Sequence, residues 1–263
     1  MTGRRPILTV ESVSKSFGGL RAVAGASFAV AEGSVTALIG PNGAGKTTMF
    51  DLITGFARLD SGTIRLQGRR IDGLKPYAVA RRGLVRTFQL TRVFGAMTVL
   101  ENMLLANPSQ PGEHLPGLAL RAAQVRAAER AARDRALQLL EVFGLVTKAE
   151  DYAATLSGGQ RKLLEAARTL MAEPRLVLLD EPMAGVNPTL GRRLLDHFEN
   201  LRRQRGITFL FVEHDMDVVM SRADRVIVMA QGTVISDGTP DQVRSDPRVI
   251  DAYLGGTAAG VSA

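Results

Sequence analysis

The chain has 263 residues, 45% hydrophobic and 22% charged, which excludes bulk disorder and suits one large domain or a core with a subdomain. It has no cysteine and only three histidines, so a disulfide framework, a cysteine metal site and a histidine-rich metal site are excluded. Its formal net charge of +7 comes from arginines that are dispersed rather than interleaved with aromatics, and aromatics make up only 5%, so no nucleic-acid site is expected.

The opening residues, MTGRRPILTVES, place two arginines before an apolar run that ends at Glu11. That run is too short for a secretory h-region, and no small-residue cleavage site follows it. No stretch approaches the ~20 uninterrupted apolar residues that cross a bilayer, so any membrane path is expected from another chain. Residues 7–38 fall into short alternating runs (ILTVESV, AVAGASFAV, SVTALI) separated by turns at Phe17-Gly18-Gly19 and Glu32-Gly33, the pattern of β-strands. Residues 45–54 read as a helix; TIRLQG after Ser61-Gly62 and LVRTF (84–88) read as strands.

The middle of the chain changes character. Residues 107–117 (NPSQPGEHLPG) form a Pro- and Gly-rich loop, and 120–143 carry helical spacing in an Ala, Arg and Leu background. A further helix is expected from Ser157 to about Ala172. RLVLLD (175–180) and ITFLFV (207–212) are continuous apolar runs of the kind buried in parallel sheets, with a helix after Asn187-Pro188 between them. RVIVMAQGTVISDG (225–238) reads as a hairpin turning at Gln231-Gly232, and GGTAAGVSA as a frayed tail. The order predicts an α/β fold: a parallel-sheet core with an antiparallel β subdomain and an inserted helical subdomain. The expected segments are 1–92 and 166–240 for the core, 93–165 for the helical insert, and 241–263 for a C-terminal helix and tail.

Three motifs carry chemistry. Residues 40–47, GPNGAGKT, match G-x-x-x-x-G-K-[ST] between a strand and a helix. Glycines let successive backbone N–H groups turn inward around phosphate oxygens, and the helix start adds its positive dipole end. Gly40, Pro41, Asn42, Gly43, Ala44 and Gly45 form the cradle, extended through Thr48. Lys46 reaches the outer phosphates of ATP and the Thr47 hydroxyl ligates Mg²⁺. LVLLDEP (176–182) ends an apolar strand in two carboxylates, where open α/β sheets place their ligands. Asp180 is expected to hold Mg²⁺ through its shell, and Glu181 to orient or deprotonate the attacking water.

The third motif is LSGGQ (156–160) at a helix start. Ser157 and Gln160 have capping-box spacing, which explains them but not Gly158 and Gly159, each disfavoured in a helix by ~1 kcal/mol relative to Ala. A helix N-terminus with free N–H groups is a second anion site. Two such sites on one chain suggest a sandwich of two subunits, each offering its first loop to one nucleotide and its LSGGQ to the other.

The motifs GPNGAGKT, RTFQ, LSGGQ, LLDEP and VEHD, in that order, resemble those of ABC-type ATPases over essentially the whole length. The resemblance implies the P-loop NTPase fold of that family. It implies that Gln89 senses Mg²⁺ and the γ-phosphate and links them to a permease, that His214 contacts the γ-phosphate, and that Phe17 stacks on adenine. Phe17 stands where the family often has Tyr, and Asn187 where many members have Asp. RTFQ, MTVLENML (97–104), the loop at 107–117, EHDMDVVM (213–220) and GTPDQVRSDPRVIDAYLG (238–255) further resemble ATPases of branched-chain amino-acid importers. That implies permease partners, a second ATPase subunit (the same or a related chain), indirectly an extracytoplasmic solute-binding protein, and a place on the cytoplasmic face of the membrane. Val93, Phe94 and Met97 are candidate permease contacts. Urea, amide and lipopolysaccharide systems use similar ATPases. A DNA-repair or translation ATPase would carry coiled-coil inserts or two ATPase halves, and a P-loop kinase would leave LSGGQ, Gln89 and His214 idle.

Overall fold

In β2 (Leu20–Ala31) buried apolar side chains alternate with exposed residues from Ala26 to Val30, while β1 (Pro6–Phe17) buries Ile7, Leu8, Val10 and Val13 around register shifts. With β4 (Ser61–Leu66) and the two-residue β5 (Arg69–Arg70) they form an antiparallel sheet in the order β2-β1-β4-β5. A second sheet has the order β10-β9-β3-β8-β7-β6. Its members are β3 (Val35–Ile39), β6 (Leu84–Arg86), β7 (Leu176–Asp180), β8 (Thr208–Val212), β9 (Arg225–Ala230) and β10 (Thr233–Gly238). All its pairings are parallel except β9–β10. β7 and β8 are buried at every position, as continuous apolar runs require when both sheet faces are covered.

The computed structural model describes residues 5–87, 93–108, 122–185 and 187–258. They group into two compact units: Met1–Arg86, Arg175–Ala184 and Leu201–Ala263 form the first, Thr87–Pro174 and Gly185–Asn200 the second. The first unit holds both sheets and α1 (Lys46–Thr54), α2 (Pro76–Ala80), α7 (Met216–Arg222), α8 (Pro240–Arg244) and α9 (Pro247–Ala258). Met49, Phe50 and Ile53 of α1 join Leu8, Val10, Ile64, Leu178, Leu210 and Ile227 in one buried core. The phosphate-loop helix is therefore anchored on its rear face.

The second unit contains α3 (Val99–Leu105), α4 (Ala122–Val142), α5 (Gly158–Met171) and the start of α6 (Pro188–Arg205). Leu139 and Leu140 of α4, Leu100 and Met103 of α3, and Leu164 and Leu170 of α5 are all buried. Asn102 is buried too, and its carboxamide fastens the preceding loop. It accepts from the Phe94 N–H at 2.9 Å and donates to the carbonyls of Phe94 at 3.0 Å and Thr98 at 2.9 Å.

The strand expected over 84–88 is the three-residue β6, with Phe88 outside the described residues. Of the expected frayed tail, residues 255–258 belong to α9, and 259–263 lie outside the described residues.

Candidate functional site

The site begins where β3 runs out. Gly40 has φ +148°, and a Cβ there would lie 2.0 Å from the Met229 carbonyl oxygen. Gly45 has φ +98°, and a Cβ there would lie 2.4 Å from the Ala22 carbonyl oxygen. The backbones of β9 and β2 thus press on the loop, and only glycine fits at either position. Gly40→Ala is expected to cost about 2 kcal/mol or more, from overpacking against backbone and a strained φ. An unchanged urea midpoint in that variant would contradict this packing.

Gly45 is also the N-cap of α1, and no side chain caps that helix. The first N–H groups of the helix are left for an anion. Lys46 is buried and turned back on its own loop, donating to the carbonyls of Gly40 at 2.7 Å and Pro41 at 3.0 Å. Burial lowers its pKa, while the charges of Glu181 and Asp180 oppose that shift. The loop lines a cavity of about 510 Å³, within the ~300–1,000 Å³ of small-molecule sites. Asn42, Gly43, Ala44, Gly45, Lys46, Thr47 and Thr48 form one wall, Leu20 to Ala22 another, and Glu181, His214 and Gln231 close it.

Glu181 follows the last residue of β7 with φ +46°, a conformation that costs a non-glycine residue about 1–3 kcal/mol. The surroundings hold it there. Its N–H donates to the Val212 carbonyl at 3.0 Å, and its Oε1 lies 2.7 Å from His214 Nε2. The buried Glu213 accepts from the Met183 N–H at 2.8 Å and the His214 N–H at 3.3 Å, tying the loop after Glu181 to the end of β8. Burial pushes the Glu213 carboxyl upward, opposed by those two hydrogen bonds. Asp180 is buried and paired with Arg86.

Phe17 lies outside the cavity lining. It pairs with Leu20 at the end of the β1–β2 hairpin, its ring is 52% exposed, and Lys15 Nζ stands 5.2 Å from the ring centre. Gln89 lies outside the described residues. Gly40, Pro41 and Asp180 are not among the residues that line the cavity.

Ser157 to Gln160 open α5 in the second unit, and the capping box is formed: Gln160 N–H donates to Ser157 Oγ at 3.2 Å, and Ser157 N–H to Gln160 Oε1 at 2.9 Å. A Cβ on Gly159 would meet Leu190 Cδ2 at 2.2 Å, whereas one on Gly158 would meet nothing within 4 Å. Leu190 is half-buried and the clashing atom is the end of its flexible side chain, so packing inside the unit gives a partial reason for Gly159 and none for Gly158. Asn187 accepts from the Thr189 N–H at 2.8 Å, capping α6 as Asp would. Phe94 is exposed under the Arg168 guanidinium, 5.3 Å from its ring centre, while Val93 and Met97 are half-buried.

Sequence reasoning missed two residues. Arg86 bridges Asp180 to Asp51 on α1. The Tyr253 phenol on α9 accepts a hydrogen bond from the Gly40 N–H, and burial still leaves its pKa raised.

Residues 23–184 match the family model described as ABC transporter, more than half of the chain. The chain belongs to the ABC transporter family. Residues 233–259 also match a model described as branched-chain amino acid ATP-binding cassette transporter. The high-affinity branched-chain amino acid transport ATP-binding protein BraF of Pseudomonas aeruginosa is 44% identical over 95% of this chain and 98% of its own. LivG of Escherichia coli, described in the same words, is 42% identical over the same shares. Among solved structures, the ADP conformation of MJ1267, an ATP-binding cassette of an ABC transporter, aligns with TM-score 0.81 and 36% identity, covering 95% of this chain and 99% of that one. This ABC ATPase thus has the fold that the motif order implied, and it hydrolyses ATP to power transport. No described helix is long and apolar enough to cross a membrane.

Proposed function

We propose that this ABC ATPase drives an importer for branched-chain amino acids or related small solutes. It would work on the cytoplasmic face of the membrane, against separate permease subunits fed by an extracytoplasmic binding protein. The observation that carries the solute class is the match at residues 233–259, joined to more than 40% identity with BraF and LivG along nearly the whole chain.

In this reading the ATP phosphates rest on residues 40–48, and Lys46 exchanges two backbone carbonyls for phosphate oxygens. The protein donors on offer for Mg²⁺ are the Thr47 hydroxyl and the Asp180 carboxylate. Among the described residues no cluster of three or more His, Cys, Asp or Glu could hold a metal alone. That donor set fits Mg²⁺, which is usually held by one or two protein oxygens with substrate phosphates completing the shell. Bound there, Mg²⁺ supplies charge neutralisation on the phosphates. Glu181, held in place by His214, takes the proton of the water that attacks the γ-phosphorus; the bond to the β-phosphate oxygen breaks and ADP leaves. Ser157 to Gln160 of a second ATPase subunit, the same or a related chain, close the site. Gln89 reports the γ-phosphate to the permease, and Val93, Phe94 and Met97 meet it.

The test is reconstitution with candidate permease subunits and a candidate binding protein. ATP-driven uptake of leucine, isoleucine or valine into proteoliposomes is expected. Uptake of urea or an amide instead overturns the solute class, and failure to purify with any membrane subunit overturns the partner reading.

A further inference from the structure

Arg86 has no role in the hydrolysis proposed for the site, yet its charge is enclosed beside it. Its side chain is 9% exposed and lies between two carboxylates, Nη1 donating to Asp51 Oδ1 and Nη2 to Asp180 Oδ2, each at 2.5 Å. The guanidinium sits 5.6 Å from the centre of the fully buried Phe50 ring, and its Nε is buried without a hydrogen-bond partner among the described residues. A buried ion pair is a poor device for stability, because apolar residues of the same volume often do as well or better. An arginine kept at this cost, with one donor unsatisfied, points to a role in placement.

The placement is specific. Arg86 pairs with Leu178 across the parallel β6–β7 ladder, two residues before Asp180. Asp51 stands on α1, the helix that begins with Lys46. One rigid fork therefore links the helix that carries Lys46 to the strand end that carries Asp180. It occupies one Asp180 oxygen and leaves the other without a donor among the described residues. We propose that Arg86 is a positioning residue that fixes the Asp180 carboxylate for Mg²⁺ on the bound nucleotide. This rests on the assignment of Asp180 to that metal. Ligating carboxylates are generally held by such outer partners, and losing one costs about 10–100-fold in metal affinity or activity.

The test uses the purified full chain and a fluorescent ATP analogue, titrated in EDTA and then with Mg²⁺. In Arg86→Met, binding in EDTA stays as in wild type, while the Mg²⁺ concentration that gives half of the metal-dependent gain rises about 10-fold or more. Arg86→Lys keeps a cation but loses the two-pronged donor, and falls between. Asp51→Asn keeps the Arg86–Asp180 bond and stays near wild type. Asp180→Asn is the reference. If it loses the Mg²⁺ gain while Arg86→Met keeps it, this inference is overturned and the metal reading stands. If both keep the gain, the metal reading falls and takes the inference with it. Should Arg86→Met not fold, Arg86→Lys and Asp51→Asn decide: a merely structural clamp makes them alike, and a positioning role separates them.

Discussion

Glu181→Gln is expected to keep nucleotide binding and to lower ATP turnover by about 10²–10⁴-fold, the usual contribution of a positioned general base. The two side chains have the same shape. The strained φ of +46°, the N–H bond to Val212 and the 2.7 Å contact with His214 Nε2 can all persist with an amide. What disappears is the ability to accept a proton from water. Removing a negative charge near the partly desolvated Lys46 does not weaken its hold on phosphate. Hydrolysis should therefore fail after ATP is bound, trapping a nucleotide-loaded dimer with this chain or its related partner. Phosphate release, nucleotide titration and sedimentation in ATP measure the three parts separately. A kcat within tenfold of wild type would remove Glu181 from the role of base.

The parts that were legible in the sequence are those encoded by neighbours along the chain. GPNGAGKT forms its loop because Gly40 and Gly45 meet backbone at positions that tolerate no Cβ. The 225–238 hairpin turns at Gln231 and Gly232, both with positive φ. The helix expected from Ser157 starts there with its capping box closed. What stayed hidden depends on partners remote in sequence. Arg86 in LVRTF looks like any alternating strand residue, because its carboxylates are 35 and 94 positions away. Tyr253 reaches Gly40 from the far end of the chain. Helix α2 has five residues, too few for a periodic signal, although Pro76 marks its start. For the two glycines of LSGGQ, helix propensity raised the right question, but the side chain that crowds Gly159, Leu190, lies more than thirty residues on.

Gly158 remains, and Gly158→Asp separates a structural glycine from a functional one. Beyond its chain neighbours and its own helix backbone, no described atom lies within 4 Å of the Cβ position, and its φ is not in the left-handed range, so the chain can accept a side chain there. An acidic residue in the first turn of a helix is favourable by about 0.3–1 kcal/mol. The melting temperature should thus be unchanged or slightly higher, and binding of ATP to the variant's own loop at residues 40–48 should persist. Suppose instead that the start of α5 meets the γ-phosphate on a partner chain. A carboxylate about 4 Å from that charge then costs about 4 kcal/mol at an effective dielectric of 20, close to a thousandfold in rate. The expected result is a folded, nucleotide-binding protein without hydrolysis, and calorimetry beside a phosphate-release assay reads both halves. Hydrolysis above a tenth of wild type in Gly158→Asp would place the start of α5 away from any phosphate and leave the two-subunit site without its second half.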